Sequence, residues 1–238
     1  MQKLTIKKGY RFRMTGAPAD TITELPDPPQ VALLPEQIPH IKPRLRVAEG
    51  DRVSAGSVLF EDKRDPRLVF MSPGGGTVAR IQFGPRRVIE AIVIDRPEAS
   101  KEPRETFPTV DEPALERMAR DRLVDHILQG GMWWVFRELP FRDLPGPDTT
   151  PPLILVGLDG REPFQPDPAR YLEGQSSALA FGLKVLQKLA GDAKVVVFTG
   201  SDRRAVIDQC GGQLTHLVQG NYPSDDPGTV LYHIKTGP

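Results

Sequence analysis

The sequence predicts an α+β protein of two domains, an all-β domain over residues 1–104 and an α/β domain over residues 105–238. The spacing of apolar residues changes along the chain from a period of two, typical of strands, to the period of about 3.6 that is typical of helices. The change falls at a polar segment bracketed by Pro97 and Pro103, a composition that favours a linker. A chain of 238 residues is long enough to bury a core in each domain.

The first domain is predicted to consist of short strands separated by Gly, Pro and Asp. These runs are rich in Val, Ile and Leu and lie at 4–6, 31–34, 45–47, 58–60, 68–71, 77–82 and 88–94. Gly50 with Asp51, Gly56 and Gly76 are predicted to form the tight turns between them. The apolar residues that we expect to fill a core between two sheets are Val47, Val53, Val58, Phe60, Val78 and Ile81.

Two motifs in this domain resemble the barrel-sandwich hybrid of biotinyl and lipoyl carrier domains. They are Glu-Gly-Asp-x-Val-x-x-Gly-x-x-Leu over 49–59 and Ser-Pro-x-x-Gly-x-Val over 72–78. A carrier presents its modified lysine on an exposed hairpin, and the candidate here, Lys63, lies among charged residues and close to Pro66. We therefore expect a solvated turn, and keep a free-standing carrier or a protein-interaction module as the alternative function.

The second domain is predicted to be Rossmann-like with a mainly parallel sheet. Its first helix begins at the N-cap Asp111 and ends at Gly130 and Gly131. After it, strands at 153–158, 194–199 and 214–218 alternate with helices at 172–189 and 201–209. This order implies crossover connections and parallel strands.

Neither predicted strand end carries a glycine-rich nucleotide loop. The segment 159–168 contains three prolines, and the segment 199–203 contains a single glycine followed by Asp202. The spacing Gly-x-Gly-x-x-Gly, which lets a backbone approach a pyrophosphate, is missing from both. We therefore expect neither NAD nor flavin to bind here.

Other kinds of site are also weakly represented. Basic and acidic residues balance at 31 each, which does not favour nucleic acid, and no apolar run reaches the roughly 20 residues of a membrane-spanning helix. Cys210 is the sole cysteine, and the histidines lack metal-ligand spacing, so no metal site and no catalytic residue are predicted. The densest aromatic group consists of Trp133, Trp134, Phe136 and Phe141. It is interpreted as core or interface packing, or else as a contact with quinone or a partner.

Charge is unevenly distributed along the chain. Residues 1–104 contain 18 basic and 13 acidic side chains, and the remainder has the opposite balance. The two halves could attract each other, or the basic half could face an anionic surface.

A series of motifs in order resembles the family formed by the A subunits of the sodium-translocating NADH:quinone oxidoreductase. They are Ile6-Lys-Lys-Gly9, Gly16-Ala-Pro18, Val31-Ala-Leu-Leu34, Lys42-Pro43, Val47-x-Glu-Gly-Asp51, the stretch from Gly56 to Lys63, Gly76-Thr-Val78, Val93-Ile-Asp95, Trp133, Arg137-x-x-Pro-Phe141, Pro145-x-Pro-Asp148, Pro163-x-x-x-Asp-Pro168 and the helix over 171–189. Members of that family usually continue into a third domain, so this chain is expected to correspond to the N-terminal two, either as part of a longer protein or as a natural short form.

The resemblance implies a peripheral subunit, without a transmembrane helix, on the cytoplasmic side of the bacterial inner membrane. Its partners would be the other subunits, including the membrane subunits, with ubiquinone as a further candidate. The complex passes electrons from NADH to ubiquinone and exports sodium. In that family the flavins and iron–sulfur centres sit on other subunits, so the resemblance implies no cofactor on this chain.

The second domain also looks distantly like the flavin-binding domains of the NADH-oxidising subunit of complex I and of the C subunit of the Rnf complex. Those relatives carry a glycine-rich flavin loop after the equivalent helix, where this chain has Gly130-Gly-Met-Trp-Trp134. We therefore predict a nucleotide fold whose site is filled by aromatic side chains. An Rnf-like electron carrier would need a cluster motif of several cysteines, which a single cysteine excludes in this chain.

Overall fold

The computed structural model describes residues 1–19 and 21–235, and the chain forms two compact units. One unit, the β unit, comprises residues 23–148; the other, the α/β unit, comprises residues 1–22 and 149–238. This division differs from the predicted boundary at 104/105, and the last three residues of the predicted second domain lie outside the described residues.

The β unit contains seven strands among its described residues. They are β2 (Gln30–Leu33), β3 (Pro43–Leu45), β4 (Arg52–Val53), β5 (Val58–Asp62), β6 (Val69–Met71), β7 (Gly76–Phe83) and β8 (Ile89–Asp95). They form two antiparallel sheets, one with the strand order β2-β8-β7-β4 and the other with the order β3-β5-β6. The sequence does not predict β4, because two residues are too few to show a period.

The core of the β unit contains four of the six predicted apolar residues, Val53, Phe60, Val78 and Ile81, whereas Val47 and Val58 are only partly buried. Phe60 and Val78 are fully buried, and the rings of Phe60 and Phe70 stack with their centroids 4.5 Å apart. The fold is that of a barrel-sandwich hybrid, as predicted.

Two helices of the β unit replace the single helix predicted after residue 111. Helix α1 (Glu112–Arg117) begins at Asp111, whose carboxylate accepts a hydrogen bond from the Ala114 amide at 2.9 Å. The helix ends at Met118, whose backbone is extended (ψ 133°), and α2 (Arg120–Gln129) follows. The apolar spacing continues across this break, so the pattern alone does not reveal it.

The α/β unit is built on a parallel sheet. Its elements are β1 (Gln2–Thr5), β9 (Leu153–Gly157), α3 (Pro168–Leu172), α4 (Ser176–Ala190), β10 (Lys194–Gly200), α5 (Arg204–Cys210), β11 (His216–Gln219) and α6 (Pro227–Ile234). The strands lie in the order β1-β11-β10-β9. No helix in the described part of the chain is long and apolar enough to cross a bilayer.

The first strand lies in a different sheet from the one predicted. The sequence places a strand at 4–6 in the all-β domain, but β1 pairs in parallel with β11, with Gln2 opposite His216. Ile6, directly after β1, is buried against Val218 and Val230. Burial of Ile6 against these side chains favours the pairing of β1 with β11, a partner that the turn residues beside β1 do not specify.

Candidate functional site

The carboxyl ends of the parallel strands meet at one edge of the α/β unit. Asp159 follows β9, Asp202 and Arg203 follow β10, and Tyr222 follows β11. In open α/β sheets this edge is where ligands bind. Its side chains are therefore the first candidates for a site.

A network of ion pairs occupies this edge. The carboxylate of Asp159, only 1% exposed, accepts hydrogen bonds from Nε of Arg161 at 3.1 Å and Nε of Arg203 at 2.8 Å. Arg161 also donates to Asp202 through Nη2 at 2.6 Å, and Arg203 donates to the Gly160 carbonyl. The buried carboxylate is thus paired on both oxygens, which offsets the cost of removing it from water.

The single glycine at the end of β10 makes room for this network. A Cβ on Gly200 would lie 2.2 Å from Nη2 of Arg161 and 2.8 Å from a carboxylate oxygen of Asp159. These separations are shorter than any real contact, so a larger residue would displace the ion pairs. The space freed by this glycine is filled by the protein's own charges.

The network also shifts the pKa values of its members. Burial opposes the charge of Arg161, but its hydrogen bond to Asp202 and the charges of Asp159 and Asp202 raise its pKa above the ordinary value. The same hydrogen bond from Arg161 lowers the pKa of Asp202. Both groups are therefore held in their charged forms, which suits a structural network better than proton transfer at neutral pH.

A pocket of about 390 Å³ lies beside the network, within the α/β unit. Its walls include the aromatic side chains of Tyr10, Phe12, Phe164 and Tyr222, and the ring centroids of Phe12 and Tyr222 are 5.0 Å apart. Arg161 and Asp202 also line it, already paired with each other. The volume is at the lower end of the range for small-molecule sites.

The predicted aromatic candidates belong to the β unit. Gly131, where the helix ends, has a φ of +63°, and a Cβ there would lie 2.7 Å from Met71 of β6. Trp133 is 6% exposed, and its indole N–H donates to the Pro145 carbonyl at 2.8 Å. These residues thus pack within the β unit, and that they fill a nucleotide site of the α/β domain stays a prediction.

The four aromatic candidates have different environments. Phe136 is half-buried with its ring centroid 5.2 Å from that of Trp133, so these two form part of the packing. Trp134 is 43% exposed and Phe141 is 78% exposed. Met132 and Val135 are also exposed, so the segment 132–141 presents several large apolar side chains to solvent.

The predicted turn residues of the β unit lie at tight positions. Gly50 and Gly56 have φ of +90° and +94°, and the Asp51 carboxylate accepts a hydrogen bond from the Ala48 amide at 2.8 Å. Gly76 has a φ of +153°, and a Cβ there would lie 1.9 Å from the Asp95 carbonyl oxygen. Gly76 thus lies in the most crowded position of the three.

Lys63 lies directly after β5, in the connection to β6, and is exposed. The carboxylate of its neighbour Asp62 is bound by Arg64 through Nη2 at 2.8 Å. That Lys63 carries no added group stays a prediction. Among the described residues, no cluster of three or more His, Cys, Asp or Glu side chains has a geometry that could hold a metal ion.

Sequence reasoning missed the ion-pair network. A signal was present, because an acid with an arginine close behind it follows two of the buried strands, as Asp159 with Arg161 and Asp202 with Arg203. The spacing of glycines in these segments carries no information about charge. The acids and arginines of the two segments form ion pairs with each other only when the two strand ends lie side by side.

Two family models match the chain. Residues 4–97 match the NqrA N-terminal barrel-sandwich hybrid domain, and residues 118–237 match the NqrA second alpha/beta domain. The second family model begins at residue 118, inside the β unit. The family domains are continuous stretches of sequence, whereas the compact units group residues that contact one another.

Curated relatives give the same result. The A subunit of the Na(+)-translocating NADH-quinone reductase of Actinobacillus succinogenes is 32% identical over 97% of this chain and 51% of its own length. The protein of the same name from Yersinia pestis is 32% identical over 98% of this chain and 51% of its own. That from Shewanella amazonensis is 31% identical over 97% of this chain and 50% of its own. The chain spans about half the length of these relatives, and it belongs to the family of the A subunits of the Na(+)-translocating NADH-quinone reductase.

Proposed function

We propose that this chain acts as a peripheral part of a sodium-translocating NADH:quinone reductase, on the cytoplasmic side of the bacterial inner membrane. In this role it binds other subunits, including the membrane subunits, and holds no flavin, NADH or iron–sulfur centre itself. Family membership is the observation that carries the proposal, since the relatives bear the name of that enzyme.

The ion-pair network supports the absence of a nucleotide site. The position that a phosphate would approach, beside Gly200, is occupied by the guanidinium of Arg161 and the carboxylate of Asp159. A flavin or NADH would have to break these pairs and leave a buried charge without a partner, which is costly. A flavin absorbance spectrum retained by the purified chain through gel filtration would contradict this part of the proposal.

The exposed aromatic segment, residues 132–141, supports a contact with a partner. Exposed Trp and Phe side chains are enriched among the residues that dominate protein interfaces. Trp134 and Phe141 are exposed in a segment whose position is held by buried Trp133. We infer that these two side chains contact a neighbouring subunit, close to the quinone that the complex reduces.

The two adjacent tryptophans allow a matched experiment. Trp133→Ala should lower the free energy of unfolding by about 3–5 kcal/mol, because it removes a buried indole and its hydrogen bond. The double variant W134A/F141A should change stability by less than about 1 kcal/mol and weaken capture of the other subunits. Melting curves, subunit pull-down and quinone reduction by the assembled complex measure these effects.

Phe83→Ala is the control, because Phe83 lies in the same unit and is 45% exposed, close to the value for Trp134. It should leave both assembly and quinone reduction unchanged. Wild-type assembly of W134A/F141A would refute the contact. Loss of assembly with unchanged quinone turnover per assembled complex would keep the contact and refute the quinone-proximal role.

A further inference from the structure

The segment 7–14, which we call the basic-aromatic segment, has no role in the function proposed above. It reads Lys7-Lys-Gly-Tyr-Arg-Phe-Arg-Met14, with four cations and three large apolar or aromatic side chains in eight residues. The chain contains no Asp or Glu over residues 1–19. Among residues 1–22, the N-terminal part of the α/β unit, positive charge is therefore densest in this segment.

The side chains of the segment are presented to solvent. Tyr10, Phe12 and Met14 are 72%, 50% and 53% exposed, and all four cations are exposed. Within the described residues, Lys7, Lys8, Arg11 and Arg13 have no ion-pair partner. Two acids nearby are already engaged, as Asp202 binds Arg161 and Glu162 accepts a hydrogen bond from the Tyr222 hydroxyl.

The backbone of the segment is held in place by β11 and the residues after it. The Ile6 amide donates to the Gln219 carbonyl at 2.8 Å, and the Tyr10 amide donates to the Tyr222 carbonyl at 2.7 Å. The Phe12 ring contacts the ring of Tyr222. Because these contacts order the segment in advance, binding a ligand costs less conformational entropy than it would for a free tail.

We propose that the basic-aromatic segment binds the anionic phospholipid surface of a membrane. Lysine and arginine attract anionic headgroups, and tyrosine, phenylalanine and methionine enter the boundary between headgroups and acyl chains. The long apolar stems of Lys and Arg let their charges reach phosphates while the neighbouring rings sit deeper. A bilayer fits better than a nucleic acid, because the chain belongs to a family named for translocating an ion.

The proposal goes beyond the proposed function, since it requires no other subunit. The purified chain is sedimented with vesicles of equimolar phosphatidylcholine and phosphatidylglycerol, and with vesicles of phosphatidylcholine alone. It should sediment with the anionic vesicles only, and added salt should release it. Binding that ignores phosphatidylglycerol would overturn the proposal and leave the proposed function standing.

Matched variants locate the contact. R11Q/R13Q should weaken binding by roughly tenfold or more, because each basic residue at an anionic surface strengthens binding several-fold. Y10S/M14S should weaken it by a smaller factor through loss of apolar contact. R86Q/R87Q is the control, since it removes the same charge beside exposed Phe83 in the β unit and should bind as the wild type does.

Three further outcomes would overturn the proposal. One is equal loss of binding in R86Q/R87Q and R11Q/R13Q, which would indicate general charge attraction. Another is tighter binding to a duplex DNA oligonucleotide than to anionic vesicles, which would indicate a nucleic-acid surface. The third is vesicle binding by R11Q/R13Q as tight as that of the wild type, with an unchanged melting curve. If R11Q/R13Q fails to fold, K7Q/K8Q is tested in its place.

Discussion

The β unit and the α/β unit differ in how far apart along the chain their paired strands lie. In the β unit, β5 pairs with β6 and β7 pairs with β8, each with the next strand in the sequence, and the most distant pairing joins β2 at residues 30–33 to β8 at residues 89–95. In the α/β unit, β1 at residues 2–5 pairs with β11 at residues 216–219. Turn residues specify pairing between neighbouring strands, but nothing local specifies the partner of a strand this distant.

The glycines of the two units show the same difference. Gly76 in the β unit is required by the strand that follows β7 in the chain, since its hydrogen faces the Asp95 carbonyl of β8. A Cβ on Gly200 in the α/β unit would meet the side chains of Arg161 and Asp159, which come from the other side of a helix-containing crossover. The pairing of two neighbouring strands explains the crowding at Gly76. The contacts at Gly200 form only when the parallel sheet has assembled.

Of the effects that bear on this difference between the units, the greatest concerns the long-range strand. Ile6→Ala removes a buried side chain from the cluster that contains Phe198, Val218 and Val230, and should cost about 2–5 kcal/mol of unfolding free energy. Ile22→Ala is the control, since Ile22 is exposed in the same piece of chain and should cost less than about 0.5 kcal/mol. Urea unfolding gives both values.

Hydrogen exchange on Ile6→Ala sharpens this test. Amide protection should fall in β1, β10 and β11, whose strands share the core that Ile6 helps to fill. If the loss of protection were confined to the β unit, the placement of β1 in the parallel sheet would be contradicted.

The next effect concerns the turns of the β unit. Gly76→Ala should cost about 2–3 kcal/mol, because the added Cβ meets the Asp95 carbonyl and the backbone has a φ of +153°. Gly50→Ala should cost about 1 kcal/mol, because its φ of +90° is strained but no other atom lies within 4 Å of the added Cβ. Equal denaturation midpoints for the two variants would contradict the crowding at Gly76.

The smallest effect is a pH dependence of the β unit. Glu102 is 3% exposed and accepts hydrogen bonds from Arg96 at 2.7 Å, Arg104 at 2.8 Å and the Gly75 amide at 3.1 Å. The hydrogen bond from Arg96, outweighing burial, lowers the pKa of Glu102 in the folded chain. Its stabilising contribution is therefore complete above the ordinary Glu pKa of about 4.3 and is lost as the pH falls through the lower folded value.

Glu102→Gln tests this contribution. Urea midpoints of the wild type should fall as the solution is acidified below that ordinary pKa, and E102Q should show a smaller fall from a lower starting stability. Glu98→Gln is the control, because exposed Glu98 pairs with Lys101 at the surface and such pairs contribute little. An acid response of E102Q as steep as that of the wild type would exclude Glu102 as a source of the pH dependence.

Most local elements could be predicted from the residues around them. The strands β2, β5, β6, β7 and β8, the cap at Asp111 and the strands β9 and β10 correspond to predicted positions within a few residues. Helix α6 is not among the predicted elements, although Asp226 and Pro227 form an N-terminal signal, since its eight residues give little periodicity. The glycine spacing predicts no nucleotide loop at the carboxyl edge of the sheet, and it does not reveal the ion pairs that fill that edge.

Turn residues, apolar period and motif order are enough to predict the antiparallel hairpins, the alternation of strands and helices after residue 153, and the family. They do not predict that β1 completes the parallel sheet, that Trp133 is buried while Trp134 is exposed, or that Asp159 is paired twice, all of which are seen in the folded chain. Each of these depends on which distant groups come together. The chemistry of a side chain allows it to be buried or paired, but which group it contacts depends on the tertiary fold.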